Sequence, residues 1–425
     1  MAHHLSGGSF KRLVDRLNEF PTGAPASPLL FKILSHLMSE HEAELLAQMP
    51  MTAIDSEKAA RIWKIPEPEA RAALEQLAGR AVLLDAEIEG RVYYTLPPAM
   101  AGFFEFSLMR VRDDIDQQAL SELYHEYINQ EDEFIIDLFG STQTQLLRTF
   151  VNERAIEKST ALTGRALHVL DHERAAKLIE TSSARGVSLC YCRHKMQHIG
   201  KACDAPQDIC LTLNNCADSL VRHGHARSLT VSEALDQLER ARSHRLLQIG
   251  ENVREKINFI CNCCRCCCEG LIAARKLWLH HPIHTTRFIP VPMTDKCRKC
   301  GACFRACPVN ALIDAGDGTP RIDEQRCLGC GVCVDTCAHG ALALDERASR
   351  VLTPVKSSHR FVLEAIERGR LQNLIFDRHD LVSHRVLATV LGVILQLPPA
   401  KQLLASQQFK SRFLEWYLRN RVYYG

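Results

Sequence analysis

Residues 297–308 read CRKCGACFRACP, and residues 327–338 read CLGCGVCVDTCA. Each is Cys-x2-Cys-x2-Cys-x3-Cys, and the second run follows the first at an interval of thirty residues. The spacing has a physical logic. Three thiolates two residues apart wrap one corner of a metal–sulfur cube, while the amides between them point at its sulfides. Gly301, Ala302, Gly329 and Gly331 are small enough to let the backbone come that close. Paired Cys-x2-Cys motifs also serve structural zinc. Two complete four-cysteine runs point to iron–sulfur ligation instead.

Outward from these runs, the composition sets the context. The chain has 425 residues and 19 cysteines, the first of them Cys190. The opening MAHHLSGGSFKRL has no apolar stretch before a small-residue cleavage site, so no secretory signal is expected. A reducing, cytoplasmic setting is then expected, where crowded cysteines favour metal over disulfides. Hydrophobic residues make up 46% and charged ones 24%, the proportions of a chain able to bury a core. A formal charge of +2 gives no bulk attraction to nucleic acid or acidic membrane. No stretch reaches the ~18 apolar residues of a membrane helix. VLATVLGVILQLPP at 386–399 is shorter, ends in a double proline, and reads as a buried or partner-facing helix.

The two runs resemble the bacterial-type ferredoxin with two [4Fe–4S] clusters. In proteins of that type the fourth cysteine of each run ligates the other cluster. The resemblance therefore implies one cluster on Cys297, Cys300, Cys303 and Cys337, and a second on Cys327, Cys330, Cys333 and Cys307. Pro308 matches the family pattern, whereas Ala338 stands where proline is common.

Between Cys190 and Cys268 lie eleven more cysteines. The first half reads GVSLCYCRHKMQHIGKACDAPQDICLTLNNCADSL, and the second ends in NFICNCCRCCCEG. Read as strands, these place Cys190 with Cys192, and Cys261 with Cys263, on common faces. Cys203, Cys210 and Cys216 fall in loop or short-helix sequence. After Cys263 the run is expected to turn helical, with Cys263, Cys266 and Cys267 on one face and Cys264, Cys267 and Cys268 on another. At least one further iron–sulfur cluster is expected. Cys190, Cys192, Cys203, Cys261 and Cys263 are its foremost candidates, and Cys210, Cys216 and Cys264 come after them. A mononuclear thiolate site, zinc included, a redox-active thiol group and thiols that merely pack stay open. Arg193, Lys195 and Arg265 sit where they would offset thiolate charge. His194, His198, His280, His281 and His284 read as surface or supporting histidines.

The first hundred residues give helical patterns in PLLFKILSHLMSE, DSEKAARIWKI and EPEARAALEQLAGRAVLL, then a hairpin in LLDAEIEGRVYYTL turning at Glu89-Gly90. That order resembles a winged helix. Its would-be recognition helix, 66–79, carries Glu67, Glu69 and Glu75 against Arg71, so phosphate would repel it; protein docking is expected rather than DNA binding. Residues 101–183 read as wholly helical. The architecture expected is α+β and multidomain, mainly helical: a winged-helix-like domain over 1–100, a helical connector over 101–183, a cysteine-rich α/β metal domain over 184–285, a small ferredoxin-like domain over 286–348 and a helical region over 349–425. The order, with its CYCR start, ICNCCRCCC run and ferredoxin segment, also resembles winged-helix and ferredoxin fusion proteins of anaerobic bacteria.

No Gly-x-Gly-x-x-Gly follows a strand, and no Walker sequence or nucleophile elbow appears, so no flavin or nucleotide site is expected. The expected role is single-electron transfer, as a carrier or as the wiring subunit of a larger oxidoreductase whose partner is a flavoprotein, dehydrogenase or reductase. Two alternatives remain: a reductase with a special cluster in the cysteine-rich domain, and a redox-sensing winged-helix regulator.

Overall fold

The computed structural model describes residues 8–276, 282–348, 353–378 and 381–398. His280, His281 and the stretch beyond 398 lie outside the described residues. The chain divides into two units, one of residues 1–144, 218–226 and 357–425, the other of residues 145–217 and 227–356.

In the first unit, helices Pro28–Leu37, Glu40–Ala47, Ser56–Trp63 and Glu67–Gly79 precede a hairpin of β1 (Leu84–Ile88) and β2 (Arg91–Thr95). Local chemistry sets the boundaries. Ser39 and Glu42 form a reciprocal cap, and the Asp55 carboxylate accepts from the Lys58 amide at 2.8 Å. The hairpin loop is two residues long, with Glu89 and Gly90 both at positive φ, matching the right-handed twist of the strands. Ile54 bridges to Tyr94 and adds a third short partner to the hairpin. Asp85 of β1 accepts from Ser219 Oγ at 2.6 Å, from Arg222 Nη1 at 2.5 Å and lies 3.1 Å from His223 Nε2. That cluster accounts for residues 218–226 joining this unit, although the expected boundaries placed them in the cysteine-rich domain.

Residues 101–183 are not wholly helical. Helices Gln117–Tyr124, Asp132–Gly140, Glu153–Thr163 and Ala175–Thr181 are interrupted by β3 (Leu147–Thr149). This three-residue strand carries too little sequence to show a period, and pairing fixes it instead.

The second unit is built on a mixed sheet. Its strands are β3, β4 (Arg185–Leu189), β5 (Asp208–Leu213), β6 (Arg227–Ser228), β7 (Leu247–Glu251), β8 (Phe259–Cys263) and β9 (Ile283–His284), in the order β6-β4-β5-β8-β7-β3-β9. Neighbours are antiparallel except β3 and β9. β5 is buried over Ile209–Leu213 and β7 throughout, as central strands covered on both faces must be. The same unit holds β10 (Phe288–Pro292) paired with β13 (Leu342–Glu346), and β11 (Leu312–Asp314) paired with β12 (Pro320–Ile322). These enclose two five-residue helices, Ala302–Ala306 and Val332–Thr336, one in each cysteine run.

The thirty-residue repeat is visible in the backbone. Lys299, Gly301 and Asn310 have positive φ, and so do Gly329, Gly331 and Gly340, each thirty residues on. At Gly329 glycine is required twice over. Its φ is +69°, and a Cβ there would collide with Phe288 O and Thr286 Oγ1.

Candidate metal centres

Two recesses lie in the repeat segment. One, about 380 Å³ including its mouth, is lined by Cys297, Cys300, Cys303 and Cys337 together with Gly301, Ala302 and Pro320. The other, about 290 Å³, is lined by Cys307, Cys327, Cys330 and Cys333 together with Val309, Leu312 and Leu328. In each, three thiols come from one run and the fourth from the other. Backbone amides face the sulfurs at matching places: Lys299 N to Cys297 Sγ at 3.4 Å and Gly329 N to Cys327 Sγ at 3.4 Å. Ala311 N lies 3.2 Å from Cys307 Sγ, and Ala341 N 3.3 Å from Cys337 Sγ. Recess, donor set and amides all fit a cubane cluster.

The two recesses differ in exposure. Cys307, Cys327, Cys330 and Cys333 are buried, whereas Cys300 is exposed and Cys297, Cys303 and Cys337 are half-buried. Burial pushes the Cys327 thiol up to about 11 and raises Cys330 and Cys333 as well. An apolar pocket that disfavours bare thiolate accepts four of them only with a compensating cation.

The middle cysteines form two further groups. Cys190, Cys192, Cys268, Cys263, Cys261 and Cys210 make a closed ring in which each thiol meets the next. Cys261 and Cys263 project from one face of β8, as the strand reading expects. Antiparallel register brings Cys210 of β5 opposite Cys261, one step beyond the Leu211–Ile260 pair. Cys190 and Cys192 do not share a strand face. β4 ends at Leu189, and Cys190 caps the helix Tyr191–His198, whose Arg193 amide donates to its sulfur. Cys268 does the same for the helix Glu269–Lys276 through the Leu271 amide. A thiolate at a helix N-terminus satisfies an orphan donor and meets the positive end of the dipole. Alternate thiols are acidified by their neighbours, Cys261 to about 5 and Cys268 to about 6, with Cys190 also well down. Cys192, Cys210 and Cys263 are pushed up correspondingly.

The second group is Cys203, Cys264, Cys266 and Cys267, whose sulfurs all lie within 4.8 Å of one another. Cys203 comes from the irregular segment after the helix Tyr191–His198, and the other three from the turn that follows β8. That turn replaces the expected helix, which starts only at Glu269. Cys210 lies in a strand rather than a loop, and Cys216 lies on the helix Asn214–Arg222, beyond the opposite end of β5 from the ring. Cys266, Cys267 and Cys268 were not among the sequence candidates for ligands. Their signal was present in the density of thiols, but only the turn decides which group each joins.

Buried cations attend both groups. Arg193 is fully buried; its guanidinium donates to Asn262 O at 3.3 Å and to Pro206 O. Desolvation lowers its pKa, but Cys190, Cys264 and Cys210 outweigh that and hold it charged. Lys195 and Glu269 form an ion pair at 0% and 5% exposure, on the same two helices that Cys190 and Cys268 cap. A buried guanidinium with only carbonyl acceptors carries uncompensated charge, and negative charge on thiols from both groups offsets it.

Cys261, Cys263 and Cys268 of the ring pack in the same apolar core as Cys307, Cys327, Cys330 and Cys333, with Leu247, Ile249, Phe288 and Leu328 around them. Arg275 ties the two regions, donating to Arg265 O at 2.6 Å and to Pro308 O at 3.2 Å.

Residues 289–338 match the family described as the 4Fe-4S dicluster domain, so this part of the chain is a ferredoxin-type iron–sulfur module. Relatives extend the likeness. One subunit of the Na(+)-translocating ferredoxin:NAD(+) oxidoreductase complex of Acetobacterium woodii is 34% identical over 78 residues, 18% of this chain and 21% of that protein. One subunit of the tetrathionate reductase of Archaeoglobus fulgidus is 43% identical over 47 residues, 11% of this chain and 23% of that protein. An uncharacterized ferredoxin of Methanocaldococcus jannaschii is 27% identical over 133 residues, 29% of this chain and 75% of that protein. The chain thus spans less than a quarter of the first two relatives and three quarters of the third. No solved structure matches it.

Proposed function

We propose that the chain is an iron–sulfur electron-transfer protein, acting as a carrier or as the wiring subunit of a larger oxidoreductase. Cys297, Cys300, Cys303 and Cys337 hold one [4Fe–4S] cluster, and Cys307, Cys327, Cys330 and Cys333 hold another. The six-thiol ring of Cys190, Cys192, Cys210, Cys261, Cys263 and Cys268 holds at least one further iron–sulfur cluster. The observation that carries this reading is the pair of recesses, each lined by three thiols of one run and one of the other. Bound clusters supply one-electron chemistry. The protein's own groups set its conditions. The buried set excludes water, the half-exposed set gives a partner access, and the amides facing Cys297, Cys307, Cys327 and Cys337 stabilise thiolate charge.

The partner is a flavoprotein, dehydrogenase or reductase. Two relatives are named as subunits of an oxidoreductase complex and of a reductase, which supports that class. The helix-and-hairpin region up to residue 96, with its winged-helix order, serves as a docking module. Its helix Glu67–Gly79 carries Glu67, Glu69 and Glu75, and Arg71 is already paired with Glu67 at 2.6 Å. Such a surface gains little from DNA phosphate.

The test is Cys337→Ser in the full chain, purified without oxygen and followed by paramagnetic resonance during reductive titration. The expected result is loss of the signal from the more exposed ferredoxin cluster, with the buried one retained. Loss of the buried cluster alone would contradict the crossed assignment.

A second reading is a reductase with a special cluster in the ring. The ring offers two thiols beyond the four a cubane uses, and a buried Lys195–Glu269 pair joins the two helices that its cysteines cap. A resonance signal that shifts with an added small molecule would favour it.

A further inference from the structure

We propose that Cys203, Cys264, Cys266 and Cys267 form a separate site for one divalent ion, zinc or ferrous iron, held by four thiolates in a tetrahedron. This site contributes no ligand to an iron–sulfur cluster, and it does not depend on the electron-transfer reading.

Distance makes the distinction. A Zn–S bond of about 2.3 Å gives a tetrahedral edge of about 3.8 Å between sulfurs. Here Cys266 Sγ and Cys267 Sγ are 3.6 Å apart, and all four sulfurs lie within 4.8 Å of one another. In a cubane each thiolate binds a different iron, so the whole metal–sulfide body stands between the ligands. The molecule contains its own control. Among the described residues, no other set of three or more cysteine, histidine or carboxylate ligands is drawn together so tightly. The two ferredoxin sets and the six-thiol ring are all wider.

The surroundings suit a charged tetrathiolate. One divalent ion on four thiolates leaves two negative charges. The Arg193 guanidinium hydrogen-bonds to Cys264. The Cys267 amide donates to Cys264 Sγ, and the Cys203 amide donates to Cys267 Sγ. Such outer hydrogen bonds orient ligands and spread their charge. Loading is not redox chemistry; the ion displaces the thiol protons to solvent. The ion joins the irregular segment around Cys203 to the turn at 264–267. Those segments continue from Cys192 and lead into Cys268, whose positions in the ring are set by the capped helices Tyr191–His198 and Glu269–Lys276.

The experiment compares the wild-type chain with the double variant Cys203→Ser/Cys266→Ser, both prepared without oxygen. Zinc, iron and acid-labile sulfide are counted per chain. The expected result is loss of one zinc or one iron, with sulfide and the cluster resonance signals unchanged; the element lost tells zinc from iron. Loss of sulfide together with several irons would overturn the assignment, as would no loss of metal. If circular dichroism shows the variant unfolded, zinc-edge X-ray absorption and iron Mössbauer spectra of the wild type decide. An ion with four sulfurs at about 2.3 Å and no metal neighbour supports the site, and absence of any such ion overturns it. A chain with this ion and no sulfide would sink the electron-transfer reading while leaving the present site standing.

Discussion

At Gly329 two demands coincide, a left-handed backbone and a carbonyl too close for any side chain. Gly329→Ala is expected to cost about 2–4 kcal/mol, combining backbone strain with a clash that backbone atoms cannot relieve. Gly316→Ala, at φ +103° but with open space around it, should cost about 1–2 kcal/mol from backbone strain alone, less than Gly329→Ala. Anaerobic denaturant titration followed by cluster absorbance checks the pair, and equal effects would contradict the close approach. The cysteines show what sequence makes legible at this scale. Spacing within the ferredoxin runs is local, so the eight thiols that line the two recesses could be singled out from sequence, while their crossed sharing came from the resemblance. Cys261 and Cys263 were legible because strand alternation is also local. The place of Cys190 was not, because its sulfur ends the strand and caps a helix, a role that apolar periodicity does not report. Cys266, Cys267 and Cys268 escaped assignment for a related reason: a tight turn parcels three consecutive thiols between two groups.

Among the elements, the hairpin of β1 and β2 is anchored by a carboxylate. Burial alone would raise the pKa of Asp85, but hydrogen bonds from His223, Ser219 and Arg222 outweigh it and bring it down to about 2. A group depressed in the folded state stabilises the fold above its unfolded pKa of about 3.9, and that contribution is lost as pH falls through about 2. Asp85→Asn is therefore expected to destabilise the protein on the order of 1–2 kcal/mol at pH 7. The gap from wild type should close near pH 2. Chemical denaturation across pH checks this, and a gap that persisted at low pH would contradict the carboxylate's role. The hairpin itself was legible because Glu89-Gly90 separates two strand-like runs, and Gly90 takes positive φ freely. β3 was not, since three residues held by β7 and β9 reveal nothing until their partners are known. The apolar helix Val382–Gln396 was expected to be buried or partner-facing, and Val386, Val390 and Val393 are exposed on it.

For the whole molecule, long-range pairing decides what local patterns could not. Residues 145–183 fall with the cysteine-rich sheet through β3, and residues 218–226 fall with the first unit through Asp85. No helix among the described residues is long and apolar enough to cross a membrane. The thiols follow a simpler rule than the boundaries do: ten of the eleven middle cysteines gather into a ring of six and a group of four, set around one buried arginine. The most direct test of that arrangement is an elemental count on the anaerobically purified 425-residue chain, iron against acid-labile sulfide. About twelve or more irons, with about twelve or more sulfides, are predicted from two ferredoxin clusters and one in the ring. About eight of each would remove the ring cluster, and a folded, colourless, iron-free protein would contradict the account at its root.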